Sequence, residues 1–156
     1  MRYIFDTNSF AELSSYFPGV FPSFWLKFNA CVAAGRTVSV KEVLREMERG
    51  VRAPRLRQWM ADHSSIFLPP GPGEGEFVAV ILANPTFRAL VKQKNVLAGR
   101  PDADPFIIAA AKVKGACVVT EETKKENAAK IPTACEFYGV NCTNLEGFMA
   151  DEGWVF

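Results

Sequence analysis

Short apolar runs alternate along the chain with longer segments in which apolar and polar residues mix. The aromatic and β-branched run Tyr3-Ile4-Phe5 is typical of a short buried strand. The segment 116–120 is almost continuously apolar, which is typical of a strand covered on both faces. The pattern predicts strands over residues 2–5, 37–39, 65–68, 116–120 and 140–143.

Helical periodicity fills the segments between these strands. It is clearest over residues 40–49, where one apolar stripe follows the i, i+3, i+4, i+7 spacing: Val40, Val43, Leu44 and Met47. The predicted helices are residues 9–16, 22–34, 40–49, 54–60, 76–83, 85–95, 106–114, 132–138 and 144–151. Strands that alternate with helices predict an α/β fold with a parallel central sheet covered on both faces.

Two stretches interrupt this pattern. The Pro- and Gly-rich segment 69–75 reads as a surface loop inside one domain, because each flanking half is too short to be stable alone. It lacks the Lys-Ser/Thr ending of a P-loop, which argues against a phosphate cradle. A second break, Gly99-Arg100-Pro101, precedes the helix that Asp104-Pro105 starts. We therefore expect a single domain over residues 1–156.

Composition excludes several classes of protein. A formal net charge of +1 identifies no polyanionic partner and leaves nucleic-acid binding to local patches. The absence of an apolar run of about 18 residues argues against a transmembrane helix, and the early charge of Asp6 argues against a signal peptide. The 4 cysteines form no CxxC pair, which favours reduced thiols over disulfides or zinc. We expect a cytoplasmic protein.

Four carboxylates come from separate predicted elements. In parallel α/β folds, sites form at the carboxyl ends of the strands. Asp6 directly follows the first strand and Glu122 follows the strand that ends at Thr120, while Asp104 begins a helix and Glu46 lies near the end of another. Carboxylates crowded together repel unless cations neutralise them, and oxygen ligands suit Mg²⁺ or Mn²⁺. Such ions activate water for attack on a phosphodiester.

Each of these acids also has a purely structural interpretation. Asp6 and Asp104 are good helix N-caps, and Glu122 resembles a solvated surface acid. For the remaining acid, the helical wheel places Glu46 about 120° from the centre of the apolar stripe and Glu42 about 160° away. We therefore expect Glu46 at the edge of a pocket and Glu42 in solvent.

The ordered set of motifs resembles the PIN-domain ribonucleases. The segment 3–8, Tyr-Ile-Phe-Asp-Thr-Asn, is similar to the opening of these enzymes, and residues 39–47, 103–109 and 118–122 are similar to their second, third and fourth acidic motifs. Lys130-Ile131-Pro132, Cys135 and Gly139-Val140 further resemble the PIN-like subgroup DUF4411. Order and spacing match over nearly the whole chain. One departure is Glu122, because most PIN domains carry Asp at that position.

The resemblance implies a three-layer α/β/α fold and RNA cleavage that depends on Mg²⁺ or Mn²⁺. It implies that Asp6, Glu46, Asp104 and Glu122 are the catalytic and metal-binding residues, supported by Asn8 and by the hydroxyl of Thr120. It also implies a VapC-type toxin of a type II toxin–antitoxin pair, with RNA as substrate and an antitoxin protein as partner. We further expect a homodimer.

Local clusters of basic residues offer contacts for RNA phosphates. Residues 45–57 contain five arginines and two glutamates, and residues 88–100 contain four basic residues and no acid. The candidate RNA-binding residues are Arg45, Arg49, Arg52, Lys92, Lys94 and Arg100. A solvated helix face is an equally good explanation of each one. Trp25, Trp59 and Phe87 are interpreted as core residues rather than base-stacking ones.

Two other classes compete with a nuclease. The first is a PIN-like domain that binds RNA or a protein but cleaves weakly or not at all, and Glu122 in place of Asp is the feature that favours it. The second is a phosphatase of the haloacid dehalogenase type, which resembles an Asp-x-Asp start that Asp6-Thr7-Asn8 lacks. The single histidine, His63, excludes a paired-histidine mechanism and reads as a polar residue at a helix end.

Overall fold

The protein is an α/β structure built on a parallel sheet. The computed structural model describes residues 1–100 and 102–156; Pro101, at the predicted second break, lies outside the described residues. Within them, five strands pair in the order β3-β2-β1-β4-β5, and every pairing is parallel. The strands are β1 (Tyr3–Phe5), β2 (Thr37–Val40), β3 (Phe67–Leu68), β4 (Cys117–Val119) and β5 (Cys142–Thr143). The predicted sheet is confirmed.

The helices follow the predicted alternation. They are α1 (Thr7–Glu12), α2 (Pro22–Ala33), α3 (Lys41–Gly50), α4 (Pro54–Asp62), α5 (Pro72–Ala83), α6 (Gln93–Leu97), α7 (Asp104–Lys114), α8 (Ile131–Tyr138) and α9 (Leu145–Asp151). Gly115 and Gly139 end α7 and α8 with left-handed backbone angles, which a residue without Cβ adopts without strain. None of the helices in these described ranges is long and apolar enough to cross a membrane.

The Pro- and Gly-rich segment is only partly the surface loop that its composition predicts. Helix α5 begins inside it, at Pro72, with Gly71 as the N-cap. Glu74 is buried and forms an ion pair with Lys114 of α7, and a Cβ added at Gly73 would lie 3.7 Å from the side chain of Val113 in the same helix. Packing against α7 therefore stabilises a first turn that local propensity disfavours.

The predicted helix over residues 85–95 is also wrong. The side chain of Asn84 accepts a hydrogen bond from the Thr86 N–H at 2.9 Å, and this local bond turns the chain away from a helix. A short 3₁₀ turn at Arg88–Leu90 and the brief helix α6 take its place.

Aromatic side chains dominate the core. Phe5 of β1 packs against Phe28 of α2 and Phe148 of α9, with ring centroids 5.6 and 5.1 Å apart. Helix α7 packs across β1, β2 and β4. Trp59 and Phe87 are buried, as the sequence predicts. The 4 cysteines are free thiols, and Cys142 is the one among them that is not fully buried. This packing fixes the carboxyl edge of the sheet, where the candidate site lies.

Candidate active site

Asp6 lies at the carboxyl end of β1 and is 2% exposed. Its Oδ1 accepts a hydrogen bond from the Ser9 N–H at 2.7 Å, so it caps α1. Its Oδ2 accepts a bond of 2.5 Å from the hydroxyl of Thr120. Burial raises the pKa of Asp6, whereas the bonds from Thr120 and Ser9 lower it. The residue therefore caps a helix and also faces the edge where other acids arrive.

Thr120 connects Asp6 to Glu122. The parallel register pairs Phe5 with Val119, so the residues that follow the two strands stand side by side. The Thr120 oxygen also accepts a hydrogen bond from the Glu122 N–H at 3.1 Å. The Oε2 of Glu122 in turn accepts the N–H of Ile131, the first residue of α8, at 2.9 Å. One hydroxyl thus orients two of the four carboxyl-bearing residues.

Glu46 reaches this edge from α3. Its Oε2 accepts a hydrogen bond from the Thr7 hydroxyl at 2.5 Å, and its Oε1 accepts one from the Ala103 N–H at 2.9 Å. The carboxylate is therefore fixed between the start of α1 and the residue before Asp104. Sequence reasoning assigned Thr7 no role, although its place directly after Asp6 was the available signal.

Asp104 is not the helix N-cap that the sequence predicts. Ala103 is the N-cap residue, and Asp104 is the first residue of α7, where its carboxyl group is partly buried. Burial, together with the negative charges of Glu122, Glu46 and Asp6 in that order of effect, raises the pKa of Asp104 to about 7. Lys92 lowers it. The three acids that repel Asp104 are the other three predicted site residues. The hydrogen bonds through Thr120, Thr7 and the Ala103 N–H place these residues at the same edge of the sheet.

Glu42 contradicts the helical-wheel expectation. It is 5% exposed rather than facing solvent, and its Oε2 finds no hydrogen-bond partner among the residues that the structure describes. The wheel considered only the apolar stripe of α3, whereas α3 packs against α1, β2 and β3 and so buries a wider arc. Glu42 lies one turn before Glu46, and the two side chains are neighbours on the surface of this helix.

The donor chemistry of the cluster fits a hard divalent cation. All four side chains offer carboxylate oxygens, and an oxygen held by one N–H or O–H donor keeps a lone pair free. Within residues 1–100 and 102–156, no group of three or more His, Cys, Asp or Glu side chains is spaced to hold an ion as placed. Ion binding therefore requires the carboxylates to move closer together.

The remaining predicted residues lie at the surface. Asn8 of α1 is exposed, as are the candidate RNA-binding residues Arg45, Arg49, Arg52, Lys92, Lys94 and Arg100. His63 ends α4: its Nδ1 lies 2.8 Å from the Trp59 carbonyl oxygen, and its ring stacks on that of Trp59. This placement fits the structural role predicted for His63.

An apolar groove lies apart from the acidic cluster. Its volume is about 470 Å³, and it is lined by residues that include Phe17, Trp25 and Trp59. None of the four acids lines it. The candidate chemistry therefore rests on the edge of the sheet and not on this groove.

Comparison with known proteins identifies a family for the chain and a solved structure with a similar fold. A family model described as "Domain of unknown function (DUF4411)" matches residues 3–156. The chain is similar in structure to a chain of VapBC2 from Rickettsia felis, solved bound to a DNA fragment from their promoter. The two are 14% identical with a TM-score of 0.53, and the match covers 92% of this chain and 98% of that chain. At this identity the similarity concerns the fold alone, and it confirms the predicted PIN-like fold. No curated protein matches the sequence significantly.

Proposed function

We propose that this chain, which belongs to the DUF4411 family, is a metal-dependent endoribonuclease that hydrolyses the phosphodiester bonds of RNA. The proposed catalytic and metal-binding residues are Asp6, Glu46, Asp104 and Glu122, with Asn8 and Thr120 in support. The proposed cofactor is Mg²⁺ or Mn²⁺. The proposal also takes the protein to be the cytoplasmic toxin of a type II toxin–antitoxin pair.

The convergence of four carboxylates from four elements supports this proposal best. The negative charges of the other three acids contribute to the raised pKa of the Asp104 carboxyl group. A folded protein keeps such repulsion where a ligand relieves it, and a divalent cation relieves it directly. A purely structural role for these acids would be served as well by neutral polar residues.

The chain's own residues would orient the reaction. Ser9 and Thr120 fix both oxygens of Asp6, and Thr7 with the Ala103 N–H fixes both oxygens of Glu46. These donors hold the two carboxylates in place before substrate arrives. A bound Mg²⁺ or Mn²⁺ supplies Lewis acidity, which stabilises charge on the phosphate and promotes ionisation of the attacking water.

The proposed partner is an antitoxin protein. The PIN-like neighbour in the comparison is VapBC2, and this precedent supports a VapB-like partner for the present chain. We expect induced expression of the wild-type protein to arrest growth and co-expression of its antitoxin to relieve the arrest. We also propose that the protein is a homodimer, and its molar mass in solution tests this.

A second candidate function is RNA or protein binding without cleavage. Two observations favour it: no three carboxylates are spaced to hold an ion in the described part of the chain, and the fourth acid is the longer Glu122. A protein of this kind binds RNA in the presence of Mg²⁺ and leaves it intact.

Cleavage of labelled RNA separates the two functions. The purified wild-type protein should cleave RNA with Mg²⁺ or Mn²⁺ and should not cleave it in excess chelator. Asp6→Asn should abolish cleavage, whereas Glu48→Gln, a change at an exposed acid of α3, should leave the rate unchanged. Equal cleavage in chelator would contradict the metal-dependent mechanism, and binding without cleavage under all conditions would favour the second function.

A further inference from the structure

The segment from Val91 to Arg100 is basic and weakly packed. Lys92, Lys94 and Arg100 are exposed, and the segment contains no acidic residue. Helix α6 lies within it and buries none of its residues. Two of its apolar side chains, Val96 and Leu97, are 59% and 80% exposed. Apolar packing therefore does not determine where these three positive charges stand.

A buried carboxylate holds the segment instead. Asp102 is 5% exposed. Its Oδ2 accepts a hydrogen bond from the Lys92 N–H at 2.7 Å, and its Oδ1 accepts one from the Asn95 side-chain amide at 2.6 Å. Both oxygens are thus bonded to the first turn of the basic segment. A charged acceptor makes such bonds stronger than those between neutral groups.

The same stretch of chain also builds the acidic cluster. Directly after Asp102, the Ala103 N–H donates to Glu46, and Asp104, the next residue, begins α7. Three consecutive residues therefore connect the basic segment rigidly to the acidic edge.

We propose that Asp102 is a positioning residue, which fixes the segment 92–100 so that Lys92, Lys94 and Arg100 bind RNA phosphates beside the cleavage site. This inference rests on the proposed ribonuclease function. Phosphate contacts of this kind set the register of a nucleic acid without reading its sequence. Fixing the cations before binding also reduces the ordering entropy that the substrate must otherwise supply.

The direction in which Asp102→Asn changes RNA affinity distinguishes this role from a simple effect of charge. Asp102→Asn removes a negative charge, so charge alone predicts tighter RNA binding. The positioning role predicts weaker binding, because the amide keeps one acceptor oxygen and presents a donor to the other N–H group. Asp62→Asn is the matched control, since it removes the same charge from an exposed acid that bonds only to Gln58 among the described residues.

The experiment measures binding of a short fluorescein-labelled single-stranded RNA in chelator, where cleavage is absent, at several salt concentrations. Asp102→Asn should weaken binding roughly fivefold, whereas Asp62→Asn should leave it unchanged or tighten it. The slope of log Kd against the logarithm of the salt concentration should also fall by about 0.7 for each phosphate that the variant no longer binds. With Mg²⁺, KM should rise by a similar factor, while kcat should change by less than about twofold because Glu46 keeps its bond to Ala103.

Asn95→Ala removes the side-chain donor to Asp102 and decides the question if Asp102→Asn does not fold. It should reproduce the weaker binding, and the double variant should be no weaker than Asp102→Asn alone. Unchanged or tighter binding in both single variants would overturn the positioning role even if the protein cleaves RNA. If the wild-type protein binds RNA with this dependence on Asp102 and Asn95 but never cleaves it, the nuclease proposal fails and the positioning role stands.

Discussion

Single polar atoms set the geometry of the acidic edge. The Thr120 hydroxyl donates to Asp6 and accepts from the Glu122 N–H, and the Thr7 hydroxyl donates to Glu46. Because these oxygens are buried or partly buried, removing either hydroxyl deprives a polar group of its hydrogen-bond partner at a cost in stability. The carboxylates are therefore oriented by hydroxyl groups that are not themselves charged.

Replacing Thr120 with Val tests this arrangement. Asp6 loses the donor at Oδ2, so its pKa rises further and the acid limb of the pH–activity profile moves to higher pH. Stability should fall by about 1–3 kcal/mol, because two buried polar groups lose their partner. Denaturant unfolding and a pH–rate profile measure both effects.

Thr120→Ser keeps the hydroxyl and should keep the wild-type pH profile. Thr133→Val is a matched control, because its exposed hydroxyl donates to the Lys125 carbonyl and to none of the four acids. If Thr120→Val and Thr133→Val behave alike, the hydroxyl of Thr120 does not orient Asp6.

At the scale of whole elements, helix α3 presents two glutamates with different environments. Glu46 has both oxygens bonded, whereas the Oε2 of Glu42 is buried and unpartnered within the described residues. Glu46→Gln should abolish cleavage and keep the fold, since the amide donates to the Thr7 oxygen while its own oxygen accepts from Ala103. Glu42→Gln should keep activity within about threefold and keep or raise stability, because it neutralises a buried side chain whose Oε2 has no partner among the described residues.

RNA cleavage assays and thermal melts of the two glutamine variants check this prediction. An inactive Glu42→Gln beside an active Glu46→Gln would move the ligand assignment one turn earlier in α3.

Helices α5 and α7 are joined by the buried pair of Glu74 and Lys114. Their side chains are 5% and 20% exposed. Lys114→Met should reduce the free energy of unfolding by about 3 kcal/mol, because it leaves the Glu74 carboxylate buried without its cation. Lys124→Met removes a pair with Glu136 in which both side chains are about half exposed or more, and it should leave the stability close to that of the wild type because solvent screens the pair. Urea unfolding of both variants measures the difference, and equal losses would contradict the buried-pair interpretation.

These elements show what the sequence alone was able to predict. The strands, their parallel pairing and most helix starts follow from apolar runs and from prolines, because those signals are local. The first turn of α5 and the burial of Glu42 depend on neighbours that are distant in sequence, so local composition gave the wrong answer for both. The same limit applies to the site: the acids carry a recognisable spacing, whereas Asp102 and Asn95 are identified only by three-dimensional contacts.

At the scale of the whole molecule, the acidic cluster opposes folding when no cation is bound. Four elements bring their carboxylates to one edge, and the burial and repulsion that follow raise the pKa of Asp104 from its ordinary value of 3.8 to about 7. The native state therefore binds a proton more tightly than the unfolded chain at this residue. The resulting stability is present in full below about pH 4 and is lost as the pH rises through about 7.

Thermal melts of wild type and Asp104→Asn test this coupling. In chelator the asparagine variant should match the wild type below about pH 4 and exceed it by about 2 kcal/mol at pH 8, because partial exposure screens some of the repulsion. The variant should have no RNA cleavage activity at either pH.

Mg²⁺ or Mn²⁺ should raise the Tm of the wild type more than that of the variant, since a ligand that binds only the native state stabilises it. Asp151→Asn, at an exposed acid in the last turn of α9, should keep the wild-type response to metal. Equal metal-induced shifts in wild type and Asp104→Asn would place the ion elsewhere and remove Asp104 from the site, whatever the outcome of the cleavage assay.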